Sequence, residues 1–393
     1  MKNINRNIRV SYIYNLLMNF DMTSAIWVLY LSYKGLSLAE IGVIEAIFHV
    51  SSVLGEIPTG AAADFIGKRT SIIFGRIMSV ISGIIMIFGN NFFVFSIAFV
   101  FSALGHNLNS GAEESLIYDT LKQLKKEDEY NKTAGKIAVT MEVGNGLAVF
   151  IGGVLSDIKF VYAYILSLII QIVAFTTSTL YVEPARKSKN EITTSNFLTH
   201  INESKNIFFK DKKVFYLILF SEITATIAMT IYYYSQKYFG DMKYTKTIIA
   251  IILLSDNVVQ AFAAKISYKL ENRLKEKGIV ILIPALYMVS IIGLFFFKGN
   301  IVIAFFLVCS FSCGITYPIF SNYINSCISS KYRATILSFQ SICYSVFMIV
   351  VFPIIGFFGD KYGINNAFLF IMLLIIPVAF IGKGIVKTSI HNL

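Results

Sequence analysis

Residues Gly60–Ser71 read GAAADFIGKRTS. An acid at Asp64, a glycine at Gly67 and a basic pair, Lys68 and Arg69, break into a chain that is apolar for long stretches on either side. Such a cluster marks a short connection at the edge of a non-aqueous layer, with its cations held at one face.

The rest of the chain explains the interruption. Hydrophobic residues make up 56% of the 393 positions and charged residues 15%, and the mean hydropathy is +0.68. One water-soluble core cannot cover that much apolar surface, so the chain belongs in lipid. The net charge of +11 is scattered in short basic clusters between apolar runs, which argues against a nucleic-acid-binding face. Cys309, Cys313, Cys327 and Cys343 lie within apolar segments and lack zinc-type spacing. The amino-terminal segment is basic and then apolar for longer than a secretory signal allows, and is expected to remain as a first span.

A spanning helix needs about 20 predominantly apolar residues. That ruler predicts twelve spans, near 10–33, 40–62, 71–89, 92–118, 133–155, 160–182, 214–239, 247–270, 280–297, 301–328, 334–358 and 366–386. The expected organisation is an amino-terminal six-helix bundle over 1–182, a linker over 183–213 and a second six-helix bundle over 214–393. Most of the 34 lysines and arginines fall in one alternate set of loops; the other set holds only Lys34, Lys159, Lys237, Lys243, Lys246, Lys298 and Lys361. The positive-inside rule therefore puts both termini and the linker in the cytoplasm of a multi-pass plasma-membrane protein. A GxxxD pattern recurs at Gly60 and Asp64, at Gly153 and Asp157, and at Gly356 and Asp360. Its recurrence at corresponding span ends suggests nested structural repeats, although small-xxx-small patterns are also common helix-packing devices.

Gly60, Asp64, Gly67, Lys68 and Arg69 spell GxxxDxxGKR, preceded by EIPTG over Glu56–Gly60. SGAEESLIYDTL over Ser110–Leu121, which contains Glu113, Glu114 and Asp119, ends the fourth span, and RATILS over Arg333–Ser338 opens the eleventh. With twelve spans, these stretches resemble the signatures of the major facilitator superfamily, in the flavour of its bacterial multidrug-efflux-like branch. The resemblance implies an all-α membrane fold of two six-helix bundles related by pseudo-twofold symmetry. It also implies that the Gly60–Arg69 segment latches one conformation, and that the first, fourth, seventh and tenth spans enclose a central cavity. Two departures weaken antiport and arginine-mediated proton transfer. The fifth span reads AVFIGG over Ala148–Gly153 without the proline of the antiporter pattern, and FSALGHNLNSG in the fourth carries no arginine.

Carboxylates inside spans cost at least about 2.5–3.5 kcal/mol at the bilayer centre, so each calls for a partner or an aqueous cavity. Asp21, Glu113, Glu114, Glu222 and Asp256 are the candidate substrate- or proton-binding residues, with Asp21 and Glu222 foremost. Glu45, His49, Glu56, His106, Asp119 and Arg333 are secondary candidates. Helical spacing groups Glu222 with Thr226, Thr230 and Tyr233, Asp256 with Gln260, Glu45 with His49, and His106 with Ser110 and Glu113 or Glu114. Each acid has a structural alternative as interhelical glue, and Glu45 also as a simple partner of His49.

The expected function is alternating-access transport of a small amphipathic or cationic molecule, exported against proton entry. Uptake of a nutrient or metabolite, or a non-transporting sensor on the same scaffold, are the alternatives. Neither HExxH, a Walker-type GxxxxGK(S/T) nor GxSxG occurs, so an enzyme is not expected. No cofactor or metal is called for beyond a proton gradient. The expected partners are substrate, protons and lipid, and the expected state is a monomer.

Overall fold

The computed structural model describes residues 4–184, 211–328 and 333–390. The described residues form helices and no strands: α1 Arg6–Met18, α2 Trp27–Tyr33, α3 Leu38–Ile66, α4 Lys68–Phe88, α5 Phe92–Asn109, α6 Ala112–Gln123, α7 Tyr130–Ile158 and α8 Phe160–Ser178. They continue with α9 Lys212–Asp241, α10 Lys246–Phe296, α11 Ile301–Cys327, α12 Arg333–Tyr362 and α13 Ile364–Ile390. In hydrocarbon every backbone N–H and C=O must find its partner within the protein, which long helices achieve. Pro58, Pro284, Pro318, Pro353 and Pro377 all sit inside helices.

Ten helical segments among the described residues are long and apolar enough to cross a membrane. The two missing from the expected twelve are accounted for. The first expected span is two shorter helices, α1 and α2, and the eighth and ninth run together in α10 across a kink at Lys275 (φ 56°, ψ 178°). Large apolar side chains such as Phe88 and Phe93 are exposed on the surface, as lipid contact requires and as an aqueous surface would not tolerate in such number.

The opening stretch is tighter than a loop. Helix α3 runs on through Ile66, Gly67 alone leaves the helical region, and α4 begins at Lys68. Gly67 has φ 104° and ψ 150°, a conformation that glycine adopts without the Cβ penalty. At the other end of α3, Ser37 and Glu40 form a reciprocal capping box, with Ser37 N donating to Glu40 Oε2 at 2.8 Å and Glu40 N to Ser37 Oγ at 3.1 Å.

Close packing divides the chain into two compact units, Met1–Ser188 with Phe239–Leu254, and Lys189–Tyr238 with Ser255–Leu393. In the first, Val10, Tyr14, Ile72, Ala112, Leu116 and Tyr181 form a buried cluster. In the second, Phe220 stacks on Phe320 at 4.7 Å and Tyr234 on Phe352 at 4.3 Å. These aromatic pairs give the second unit a core of its own, as the buried cluster does the first.

Candidate functional site

The first unit is organised around the break in the first span. Asn19 ends α1 by turning its own amide onto Asn15 O at 2.9 Å, and Phe20 N closes a tighter turn on Leu17 O. Asp21 then holds the non-helical stretch in shape. Its Oδ1 accepts from Thr23 N at 2.9 Å, Thr23 Oγ1 at 2.7 Å and Ser167 Oγ at 3.3 Å. Short polar side chains bonding to nearby backbone compete with helix in this way. Ser167 of α8 also accepts from Met22 N at 3.0 Å. Gly152 of α7 lets the stretch lie close, since any Cβ there would collide with the Met22 carbonyl. Asp21 is therefore not on a continuous helix, as the span reading expects, but in the gap between two half-helices. Non-helical backbone at membrane depth is tolerated only inside protein or beside water.

The fourth span is also interrupted, at Ser110 and Gly111, so the expected face joining His106, Ser110 and Glu113 does not form. Glu113 and Glu114 instead occupy the first turn of α6, where the helix dipole favours negative charge. Glu113 Oε1 accepts from Asn15 Nδ2 at 2.7 Å and lies 3.4 Å from the Tyr181 hydroxyl. Glu114 is exposed and accepts from Tyr130 OH at 2.7 Å. His106 and Glu56 are both exposed. Glu45 and His49 are buried as a pair, with 3.6 Å between His49 Nε2 and Glu45 Oε1.

Arg76 is a buried cation of this unit, 4% exposed. It donates to Gln171 Oε1 at 3.0 Å and lies 5.8 Å over the Tyr14 ring, while its Nε has no acceptor. The Tyr14 hydroxyl bonds Asn109 Oδ1.

At the end of the unit that carries the quoted motif, Lys68 pairs with Asp119 and also reaches Ser115 O at 3.3 Å. Arg69 donates to Thr179 O at 2.9 Å. Glu183 supplies the N-terminal cap that Gly67 lacks, taking Lys68 N at 2.9 Å and Arg69 N at 2.8 Å on its two oxygens. Nearby, Asn7 exchanges a pair of 2.8 Å bonds with the Val182 backbone. Gly60 and Asp64 lie on the α3 backbone, and the Asp64 side chain falls outside the described residues. Asp157, of the second GxxxD, accepts from the first backbone amides of α10.

In the second unit Glu222, 8% exposed, accepts from Ser221 Oγ and Gln340 Nε2, each at 2.7 Å. Thr226 turns its hydroxyl back to Glu222 O at 2.8 Å, and the buried Thr230 hydroxyl has no partner. Asp256, 4% exposed, accepts from Gln260 Nε2 at 2.7 Å. Arg333 opens α12 and is exposed. Among the described residues, no lysine or arginine pairs with Asp21, Glu113, Glu222 or Asp256. The donors these carboxyl groups do have are neutral, an arrangement open to a proton or a cation.

The sequence profile of the Major Facilitator Superfamily matches residues 15–350. The chain belongs to the Major Facilitator Superfamily. An uncharacterized MFS-type transporter of Bacillus subtilis (strain 168), YxaM, is 22% identical over 368 residues, 90% of each chain. The quinolone resistance protein NorA of Staphylococcus aureus (strain MRSA252) is 25% identical over 196 residues, 49% of this chain and 48% of that one. The crystal structure of the nucleoside transporter NupG superposes with a TM-score of 0.77 at 12% identity, over 98% of this chain and 100% of the other, a likeness of fold. As a facilitator, the chain is a multi-pass membrane transporter of small molecules and not an enzyme.

Several residues of this facilitator's polar clusters escape sequence reasoning. Ser167 and Gln340 reach carboxylates 146 and 118 positions away, and nothing local announces such pairings. Glu183 is signalled only by its place just beyond the sixth span.

Proposed function

We propose that the protein exports an amphipathic or cationic small molecule against proton entry, by alternating access of two six-helix halves, as a monomer with both termini in the cytoplasm. Asp21 and Glu222 exchange protons or meet the charge of the ligand. The observation that carries this reading is the broken first span. Asp21 Oδ1 takes all three donors and Oδ2 takes none among the described residues, beside backbone freed from helical bonding. Discontinuous helices supply ligand and coupling-ion sites in secondary transporters for this reason. The partial similarity to a quinolone resistance protein supports export of a drug-like compound. The reading is tested in proteoliposomes with ethidium as the probe cation and a pH gradient imposed in either direction. Flux should follow the gradient in one direction and fall at least about tenfold in Asp21→Asn and Glu222→Gln, the scale of one lost charge interaction of about 1.4 kcal/mol. Flux indifferent to the gradient and to both substitutions would overturn it. Accumulation driven in the opposite sense would identify uptake.

A further inference from the structure

We propose that Asp157 is a positioning residue of the transport cycle, a latch that holds the first turn of α10 against the end of α7 and releases it when that end of the protein opens. The first amides of a helix have no acceptor within it, and they carry the positive end of its dipole. Asp157 answers both needs. Its Oδ1 accepts from Lys246 N at 2.7 Å, its Oδ2 from Thr247 N at 2.9 Å and Thr247 Oγ1 at 2.6 Å, and the Lys246 ammonium stands 3.8 Å from Oδ1.

Gly153, one turn before Asp157, seats the same helix. A Cβ there would meet Ala250 Cβ, Lys246 O and Thr247 Cα. The two defining residues of this GxxxD thus have distinct jobs, the glycine admitting the helix and the acid binding its end. What makes the contact a latch is the course of α10. Lys246–Leu254 pack in the first unit, and from Ser255 the same helix belongs to the second. A bond confined to the first turn of such a helix governs whether that turn stays with the first unit when the second moves. The Asp157 and Lys246 side chains are 28% and 33% exposed, so water can replace each bond and the contact is reversible.

The latch lies at one end of the first unit. Lys246 covers the Phe160 ring at 5.3 Å, Phe160 packs on Tyr33 at 5.2 Å, and Lys34 bonds Gly89 O at 3.0 Å. Helix α4 runs from the Lys68–Asp119–Glu183 cluster at the opposite end to Gly89 at this one. By the distribution of lysine and arginine, the Asp157 end faces outward.

The latch rests on alternating access alone, not on proton coupling or export, and its test needs no substrate. Hydrogen–deuterium exchange is measured on the full-length protein in lipid nanodiscs. In Asp157→Asn, the amides of residues 246–250 should exchange roughly tenfold faster, the loss expected for a charge-assisted cap. As the outward end opens, the opposite end closes, so peptides covering 67–71 and 115–120 should exchange more slowly. Thr247→Val, which removes only the hydroxyl donor, should move both ends in the same directions by less, and carries the test if Asp157→Asn does not fold. Faster exchange at 246–250 with no change at the far end would reduce Asp157 to a helix cap and overturn the latch. Unchanged exchange at both ends would overturn it as well.

Discussion

Replacing Gly152 by alanine asks whether the gap in the first span is built against α7. A Cβ at this position would stand 2.8 Å from the Met22 carbonyl carbon and 3.0 Å from its Cα, and closer still to the oxygen. These are backbone atoms, which cannot rotate aside as the tip of a side chain can. The two segments must separate by about 1 Å, and forcing an extra methyl into a packed interior costs about 1–3 kcal/mol. That is about 5- to 150-fold in a conformational equilibrium. The same shift draws Met22 N and the Asp21 carboxylate away from Ser167 Oγ, which they meet at 3.0 and 3.3 Å. Thermal unfolding of the purified protein and binding of a probe cation such as ethidium are measured together. Gly152→Ala should lower the unfolding midpoint and weaken binding, and Asp21→Asn should add less to the binding loss on this background than it does alone. Gly135, on the same helix with nothing within 4 Å of its notional Cβ, is the control. Gly135→Ala should be neutral or stabilising by up to about 1 kcal/mol through helix propensity. Equal losses from both substitutions, or none from Gly152→Ala, would refute the packing argument.

Two further predictions concern charge. Arg76 is buried with one neutral acceptor, so Arg76→Met should keep or raise the unfolding midpoint, whereas Gln171→Leu, which strands the guanidinium, should cost about 1–3 kcal/mol in the same unfolding assay. At the motif end, Lys68→Asp should slow transport and Lys68→Asp combined with Asp119→Lys should restore part of it; Glu183→Ala should cost about 0.5–2 kcal/mol of stability and speed amide exchange at 68–71.

Membrane residence and helix rhythm are legible in the sequence because they depend on local run lengths of apolar residues. The quoted motif is legible as a turn, and the structure sharpens it to one glycine between two helices. The gap at Asp21 is harder to read, since a hydropathy window averages over NFDMTS and reports one span. The residues Asn19, Asp21, Thr23 and Ser24 are nonetheless turn formers in sequence, and they are the ones that make the bonds. Reading faces by helical period succeeds where the helix continues: Glu45 meets His49 and Asp256 meets Gln260. It fails across Ser110 and Gly111, where the chain leaves the helix and the phase is lost. The partners of Glu222 and Glu113 include side chains on distant helices, set by tertiary packing that no local pattern encodes.

The paired bonds between Asn7 and Val182 join positions 175 residues apart. At ribosomal speeds of about 5–20 residues per second, roughly 9–35 s pass between the appearance of one partner and the other. During that interval the first-made segments, 13 and 7 residues long, are each shorter than a bilayer requires. The bonds that fix Asn7 cannot form until the chain beyond the sixth span has been made, so the amino-terminal half is completed at its beginning by its last piece.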